Sequence, residues 1–531
     1  MQGKQNLNPK LFYHVSLDQL VPKDNFYRKL SQEIDLQFLY KETAHYYGTE
    51  GQESIDPVVF FRILLVGYLN NIGSDRKLIE YCSDSLAIRL FLRYDIDQSL
   101  PWHSTISRTR QLYGEEVFLS LFRRVLSMCV QKGMVRGRRQ AVDSALIKAN
   151  ASLDSLIEKE VVADAENYTR ELDAGSQYKI SKTMKTLVER NHAWKKQAYK
   201  DMPGGGNKTA QTNKIDQPTD ENGNLIRPRY LSNHTHYSPT DPDAKIAVKP
   251  GKARQMNYYG QLAVDDAHHV ITGAMADYAD QRDSQCLPHI LAQTTANLKS
   301  NQIAMEQVVA DAGYSSGESL KYCQDHNIDA WIPNFGQYKP ERAGFFYNKE
   351  KDQYECMRGK KAILSFKGIR TDSKGYEKKT YRSSETDCKA CPLLRECCGK
   401  ATKFKKIDDS IHKPYYDRMH EKLTLNKGYA KRMARIRSRT VEPVLGTLIN
   451  YTSLRRVKTR GIAGATKSVL MAALTYNLKK YLKFNRKKSI SNVVEMIRAE
   501  YTTDFSSLSA LIQAISRTMT GSKFYYIKNC F

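Results

Sequence analysis

Hydrophobic and polar positions alternate in different ways along the chain. Over about residues 10–135 apolar side chains recur at three- and four-residue steps, which places them on one face of a helix. The clearest stripe starts at Glu115 and runs through Phe118, Leu121, Phe122, Val125 and Cys129. Asp56-Pro57 predicts a helix start, an N-cap acid followed by proline at the first helical position, with Ile63, Leu64 and Val66 in the apolar run behind it. Further helices are predicted from near Ser74 and from a Ser104 cap, the latter carrying Ile106, Arg108 and Arg110. The first quarter therefore reads as a helical bundle.

After Val135 the period changes. Residues 140–146 read as a short buried strand containing Asp143, and residues 258–264 and 269–274 read as a hairpin turned at Asp265-Asp266. Helices are expected at about 284–298 and 317–326, and strands at 307–310, ending on Asp311, and at 329–333. Strand, hairpin, helix, strand, helix, strand is most economically a mixed α/β sheet with helices on its faces. Two segments interrupt this order. Residues 150–235 are polar and charged, with an initial helical stretch, a break at Gly204-Gly205-Gly206 and a turn at Glu221-Asn222-Gly223-Asn224, and predict an inserted arm. Residues 336–415 are basic, aromatic and cysteine-bearing. A helical pattern then runs from near Tyr415 to about Lys483, with Val469, Leu470, Ala473, Leu474, Leu478 and Leu482 on an apolar face, ahead of a basic tail over 485–531.

Charge turns this outline towards a partner. Lys plus Arg number 83 against 57 Asp plus Glu, a net charge of +26 spread along the whole length. A polyanion is the expected partner, nucleic acid ahead of an anionic membrane surface. The 531 residues, 41% of them apolar, suffice for about three domains with real cores. The longest apolar run, residues 58–72, is broken by Arg62, Gly67, Asn70 and Asn71. It falls short of the roughly 20 residues that span a bilayer, so no membrane partner is expected. No apolar segment follows the charged MQGKQNLNPK, so a secretory signal is not expected and the chain is placed in a reducing cytoplasm.

Two acids stand where burial demands a reason. Asp143 lies within a predicted strand between Val142 and Ala145, and Asp311 ends another behind Val309 and Ala310. A carboxylate there costs several kcal/mol unless it is paired, protonated or bound to a cation. Two such acids at adjacent strand ends, joined by a third from a helix, would make a cluster of hard oxygen ligands suited to Mg²⁺ or Mn²⁺. A pair of ions about 3.5–4 Å apart can activate water or a 3′-hydroxyl and stabilise the leaving oxygen of a phosphodiester displacement. Asp265, Asp266, Asp280 and Asp283 have the same chemistry but are set aside as turn acids, which need no metal to explain them.

An ordered set of phrases carries a resemblance. It comprises Asp56-Pro57 with its helix, Ser74-Asp75-Arg76, His103-Ser104-Thr105-Ile106-Ser107-Arg108, Val142-Asp143-Ser144 and Lys148-Ala149-Asn150-Ala151-Ser152. It continues through Ser238-Pro239-Thr240-Asp241-Pro242-Asp243-Ala244, Ala310-Asp311-Ala312-Gly313-Tyr314 and Thr440-Val441-Glu442-Pro443-Val444-Leu445-Gly446. Over about residues 10–483 the chain resembles the IS eleven-eighty-two group of bacterial DDE insertion-sequence transposases. The resemblance implies an α/β fold with an RNase H-like mixed-sheet core, an N-terminal all-α domain and a cysteine-bearing insertion. Its first Asp would lie on the first strand, its second would follow the fourth, and its Glu would lie on a late helix. Carried over residue by residue, Asp143, Asp311 and Glu442 are the implied catalytic and metal-binding acids.

The corresponding division is a helical DNA-binding domain over 1–135, a first core part over 136–335 holding the charged insertion, the insert over 336–415, core helices over 416–484, and the tail. Pro443 disfavours α geometry at the residue before it, so Glu442 is expected to open its helix or to sit at a kink. Related groups carry a tyrosine, arginine, glutamate and lysine signature here; Arg439 fits the arginine, while Ile449 stands at the lysine position. Phosphate positioning is left open among Arg435, Arg437, Arg439, Arg455 and Arg456, each equally readable as part of a solvated helix face. Arg108 and Arg110 are candidates for helix-turn-helix DNA contact on the same terms.

The ten cysteines do not make a disulfide scaffold in a reducing compartment, and clustered ones point to metal. Cys388, Cys391 and Cys397, with Cys356 upstream, could surround a structural Zn²⁺ tetrahedrally; Cys398 is an alternative fourth ligand, and unligated thiols are the plain alternative. The resembled transposases carry a similar insert. Cys82, Cys129, Cys286, Cys323 and Cys530 read as small buried apolar side chains. The activity implied is that of a transposase binding terminal inverted repeats, cutting the ends by metal-activated water and joining 3′-hydroxyls to target DNA. A homodimer is expected because two ends must meet, at the bacterial nucleoid. A catalytically inactive DNA-binding relative and an RNase H-like nuclease without end specificity are the competing classes.

Overall fold

Asp56 and Pro57 begin a helix as their chemistry requires. In the computed structural model Asp56 Oδ1 accepts from the backbone N–H of Val58 at 2.6 Å and of Val59 at 3.1 Å, and Pro57 opens α1 (Pro57–Leu69). The structure describes residues 14–159, 232–248, 254–358, 362–398 and 402–484, apart from positions 49, 51, 52, 337, 373, 374 and 390. Most of the predicted charged insertion, with its glycine break and turn, and the basic tail lie outside the described residues. By contacts the chain divides into residues 1–482 and 483–531, and it is the first unit that is described below.

Helix α1 is apolar on nearly every side and is buried accordingly; even Arg62 is covered, its guanidinium donating to the carbonyl of Phe91 at 2.7 Å. Helix α2 (Asp75–Asp84) follows Ser74, whose hydroxyl accepts from the Lys77 N–H. Helix α3 (His103–Leu112) starts ahead of the expected Ser104 cap. Trp102 is the N-cap residue, and Ser104 sits inside the helix with its hydroxyl accepting from Arg108. Helix α4 (Glu115–Gln131) buries the predicted stripe together with Val117 and Leu126. Gly137 then turns the chain into the sheet at a φ of +77°, where a Cβ would fall 1.9 Å from Ile303 Cγ2. Only glycine fits so close an approach in that backbone region.

The central sheet has the strand order β3–β2–β1–β4–β5, with β1 (Arg139–Lys148), β2 (Gln255–Asp265), β3 (Ile271–Tyr278), β4 (Gln307–Val309) and β5 (Asp329–Trp331). The first three strands form an antiparallel meander, and β4 and β5 run parallel to β1. A short strand, Lys245–Ala247, pairs with the start of β2. Helix α5 (Asp283–Lys299) leads from β3 towards β4, and α6 (Gly317–Asp325) from β4 towards β5. Val142, Leu287, Ile290, Val308, Tyr314 and Leu320 meet in the core beneath them.

A second antiparallel sheet occupies the stretch read as a basic, cysteine-bearing insert. Its strands β6 (Phe345–Asn348), β7 (Gln353–Cys356), β8 (Ile363–Thr371), β9 (Glu377–Ser383) and β10 (Lys406–Ser410) pair in chain order around Tyr354, Leu364, Tyr381 and Ile407. Three long helices follow: α7 (Lys413–Leu425), α8 (Lys427–Tyr451) and α9 (Gly461–Lys483). Helix α8 packs across β1, β2 and β4. Helix α9 is buried on every side over residues 464–478, more than the single apolar face its sequence predicts. No helix among the described residues is long and apolar enough to cross a membrane.

Candidate active site

The parallel register of β1 and β4 sets Ala141 opposite Val309. Asp143 lies two residues beyond the first and Asp311 two beyond the second, so the two acids leave neighbouring strands at the same level. Asp143 is still within β1, its side chain 16% exposed, with Oδ1 accepting from the Ser144 N–H at 2.8 Å. Asp311 has left β4 and caps the short turn Ala312–Tyr314, its Oδ1 accepting from the Gly313 N–H at 2.9 Å.

Glu442 reaches this end of the sheet from α8. Of the two placements expected for Glu442, the opening of a helix is not the one found: α8 runs from Lys427 to Tyr451 with Glu442 and Pro443 in its interior. Proline removes one intrahelical N–H, but burial of Val441, Val444, Leu445 and Leu448 holds the helix on the sheet regardless. Arg437 ties the acids together. Its Nη1 donates to Asp143 Oδ2 at 2.6 Å and its Nη2 to Glu442 Oε1 at 2.8 Å, while Ser438 Oγ donates to the same Glu442 oxygen at 2.6 Å. The first and third predicted acids thus share one guanidinium.

Asp283, set aside on sequence as a turn acid, borders the same site. It opens α5, and its Oδ1 accepts from the Ser144 hydroxyl at 2.6 Å. A Cβ built on Gly313 would lie 3.0 Å from Asp311 Oδ1 and 3.4 Å from Asp283 Oδ2, so both carboxylates flank one glycine. Beneath them the fully buried Tyr314 donates to Gln261 Oε1 at 2.6 Å. Burial first, then the carboxylates of Asp283, Asp143 and Asp311, hold its hydroxyl pKa well above the ordinary value. One phenol therefore feels three of the four acids.

Among the described residues no three Asp, Glu, His or Cys side chains converge into a ready metal cage. The donor set nevertheless fits a hard divalent cation, because carboxylate oxygens are its preferred ligands and Asp143 and Glu442 already share a cationic group.

The other predicted DNA-contacting arginines are placed differently. Arg110 is 13% exposed and pairs with both oxygens of Asp75, at 2.9 and 2.7 Å, so it is committed inside the bundle. Arg108 is exposed on α3. Arg435 and Arg439 are exposed on α8; Arg455 and Arg456 are exposed on the loop after it, with Nη2 atoms on Asn450 at 2.7 Å and Asn150 at 3.2 Å. That loop is tacked to the end of β1, where Val457 N–H donates to the Lys148 carbonyl at 2.8 Å. Beside Asp283 and Gly313 opens a cleft of about 940 Å³, which Arg282, Tyr338, Lys339 and Arg342 also line.

Cys356, Cys388, Cys391, Cys397 and Cys398 all line one small cavity, about 30 Å³, beside the second sheet. Every described cysteine is a free thiol. Burial, then Cys397 and Cys388, push the Cys398 thiol up to about 11. Cys82, Cys129, Cys286 and Cys323 are buried, while Cys530 lies outside the described residues.

Residues 15–112 match the family model of a transposase domain (DUF772), and residues 355–482 match that of a transposase DDE domain. Over these two stretches the chain is similar to insertion-sequence transposases of the DDE class. The DDE match contains Glu442 and Arg437, while Asp143 and Asp311 precede its first residue. No curated protein matches the chain.

Proposed function

We propose that this chain is a DNA transposase of the IS eleven-eighty-two group, with an RNase H-like core in which Asp143, Asp311 and Glu442 are the catalytic acids. The observation that carries the reading is that Asp143 lies on the central strand of a β3–β2–β1–β4–β5 sheet, Asp311 just past the end of its parallel neighbour, and Glu442 on a helix packed across both, with Arg437 bridging Asp143 and Glu442. Mg²⁺ or Mn²⁺ held by these three residues would supply nucleophile activation and charge stabilisation at the leaving oxygen. The chain's own part is to position DNA. Exposed Arg435 and Arg439 on the helix that bears Glu442, and Arg455 and Arg456 on the loop behind it, can fix backbone phosphates without reading sequence. The basic cleft beside Asp283 and Gly313 can carry the strand onward.

In this reading the helices up to about residue 135, with Arg108 exposed on α3, belong to the DNA-binding part. The five-cysteine cavity is where a structural Zn²⁺ would sit, held by Cys356, Cys388, Cys391 and Cys397, with Cys398 as the alternative fourth ligand. The protein acts as a homodimer on the two terminal inverted repeats of its element and on target DNA, at the bacterial nucleoid.

Substitution tests the assignment directly. Asp143→Asn and Asp311→Asn are each expected to abolish Mg²⁺-dependent cleavage and strand joining on end-containing DNA, while leaving the affinity for that DNA within about threefold of the wild type. Cleavage that persists in either variant overturns the site. Wild-type protein that binds the ends but never nicks them places the chain with inactive relatives.

A further inference from the structure

We propose that Arg437 is the internal counter-cation of the acidic site: its guanidinium holds Asp143 and Glu442 while no divalent ion is present, and it is the group that an ion must displace. The proposal rests on reading the three acids as a metal site and adds to it what fills the space between two of them.

The geometry points there in three ways. First, the guanidinium uses separate nitrogens for the two acids, Nη1 on Asp143 and Nη2 on Glu442, so it lies between them rather than beside one. This wedge is a physical reason why the carboxylates do not converge into a ready cage. Second, it takes a different oxygen of Asp143 from the one that the Ser144 N–H holds. Asp143 Oδ1 and Asp311 Oδ1 are held by the N–H groups of Ser144 and Gly313, whereas Asp143 Oδ2 and Glu442 Oε1 face the guanidinium. Third, the two halves of the clamp differ in exposure. Asp143 is 16% exposed and Arg437 15%, but Glu442 is 52% exposed, so the outer half lies where ion pairs are weak and open readily. A permanent structural pair would close on both sides.

A guanidinium is a diffuse single charge, while Mg²⁺ or Mn²⁺ brings two compact charges to the same oxygens. An ion bound by these oxygens would compete with the guanidinium for them, and displacement would free an arginine beside the site. While it bridges Asp143 and Glu442, Arg437 is a positioning residue and is not available to a DNA phosphate.

The test is Mn²⁺ binding to the full-length protein without DNA, read from the electron paramagnetic resonance of the free ion. Arg437→Gln is expected to bind Mn²⁺ about tenfold more tightly than wild type, because no charge-assisted hydrogen bonds have to be broken. Arg437→Lys should fall between them. Asp143→Asn should lose the site in either background. Equal or weaker binding by Arg437→Gln, with the Asp143 dependence intact, overturns the counter-cation while leaving the metal reading standing. Absence of any Asp143-dependent Mn²⁺ site in all these proteins overturns the metal reading itself. Should Arg437→Gln fail to fold, the wild type still answers: saturating Mg²⁺ must shift the Arg437 side-chain N–H resonance, identified by its loss in Arg437→Lys, and an unmoved resonance refutes the exchange.

Discussion

Asp277 is a carboxylate in a place that disfavours its charge. It is 8% exposed, and its Oδ2 has no hydrogen-bond partner among the described residues. Burial raises its pKa, Asp283 adds to the rise, and the Cys286 thiol and His289 oppose it. Such a group binds its proton more readily in the native state than in the unfolded chain, so its ionisation subtracts stability as pH rises through the folded pKa. Asp277→Asn should therefore raise the melting temperature at pH 8, and the gain should shrink on acidification and vanish near the unfolded carboxylate value of about 4. Calorimetry across that range checks it; a gain independent of pH would mean that ionisation is not its source. Asp283, a few residues on, marks the limit of residue-by-residue reading. Asp143 and Asp311 stood out in the sequence because apolar neighbours made their charge conspicuous. Asp283 has polar neighbours, Arg282 and Ser284, and only the return of α5 to the sheet brings it to Ser144 and Gly313. Its one available signal was a place at the start of a helix following a strand, which a turn acid shares.

At the scale of elements, periodicity served best where burial is one-sided or complete. Helix α4 and strands β1 to β5 stand where their patterns put them, within a few residues. The second sheet was not foreseen. Glu377–Ser383 reads EKKTYRS, and its buried residues are Thr380, Tyr381 and Ser383 rather than aliphatic ones. A sheet packed on two tyrosines and two aliphatic side chains leaves little alternation to detect. That small core also suggests why the insert would need a further tie. If Zn²⁺ is that tie, chelation should release one ion per chain, lower the melting temperature and loosen amide protection in β6 to β10 while sparing β1 to β5. Hydrogen exchange distinguishes the two sheets. Cys388→Ser should reproduce the effect, since Cys388 is the most enclosed of the five. An unchanged exchange pattern after chelation would leave the cysteines as free thiols.

At the scale of the whole molecule, α9 joins what the sequence presents as separate parts. Lys467 Nζ donates to the carbonyl of Arg110 in the bundle at 3.1 Å, and the Asn477 amide meets the backbone of Ile271 in the sheet twice, accepting its N–H at 2.9 Å and donating to its carbonyl at 2.8 Å. A side chain there completes β3 as a further strand would. Asn477→Ala would leave both backbone groups buried and bare, an expected loss of about 2–4 kcal/mol in stability, measurable by denaturant unfolding. A loss well below 1 kcal/mol would show that water replaces the amide. The apolar run of α9 was plain in the sequence, but its second set of neighbours was not, because a helix buried all round has the same pattern whichever parts surround it.

The burial of α9 bears on how such a protein can change over time. A helix bundle that kept its own core could be exchanged for another and so redirect the protein to new DNA ends. Here the bundle leans on a helix encoded more than three hundred residues downstream, as the reach from Arg110 to Lys467 measures. Recombination that swaps the N-terminal stretch alone would strand the apolar surface of that helix. If the bundle reads the DNA ends as proposed, new specificity is expected to arise by substitution on exposed faces such as that of Arg108, with the bundle and α9 inherited together.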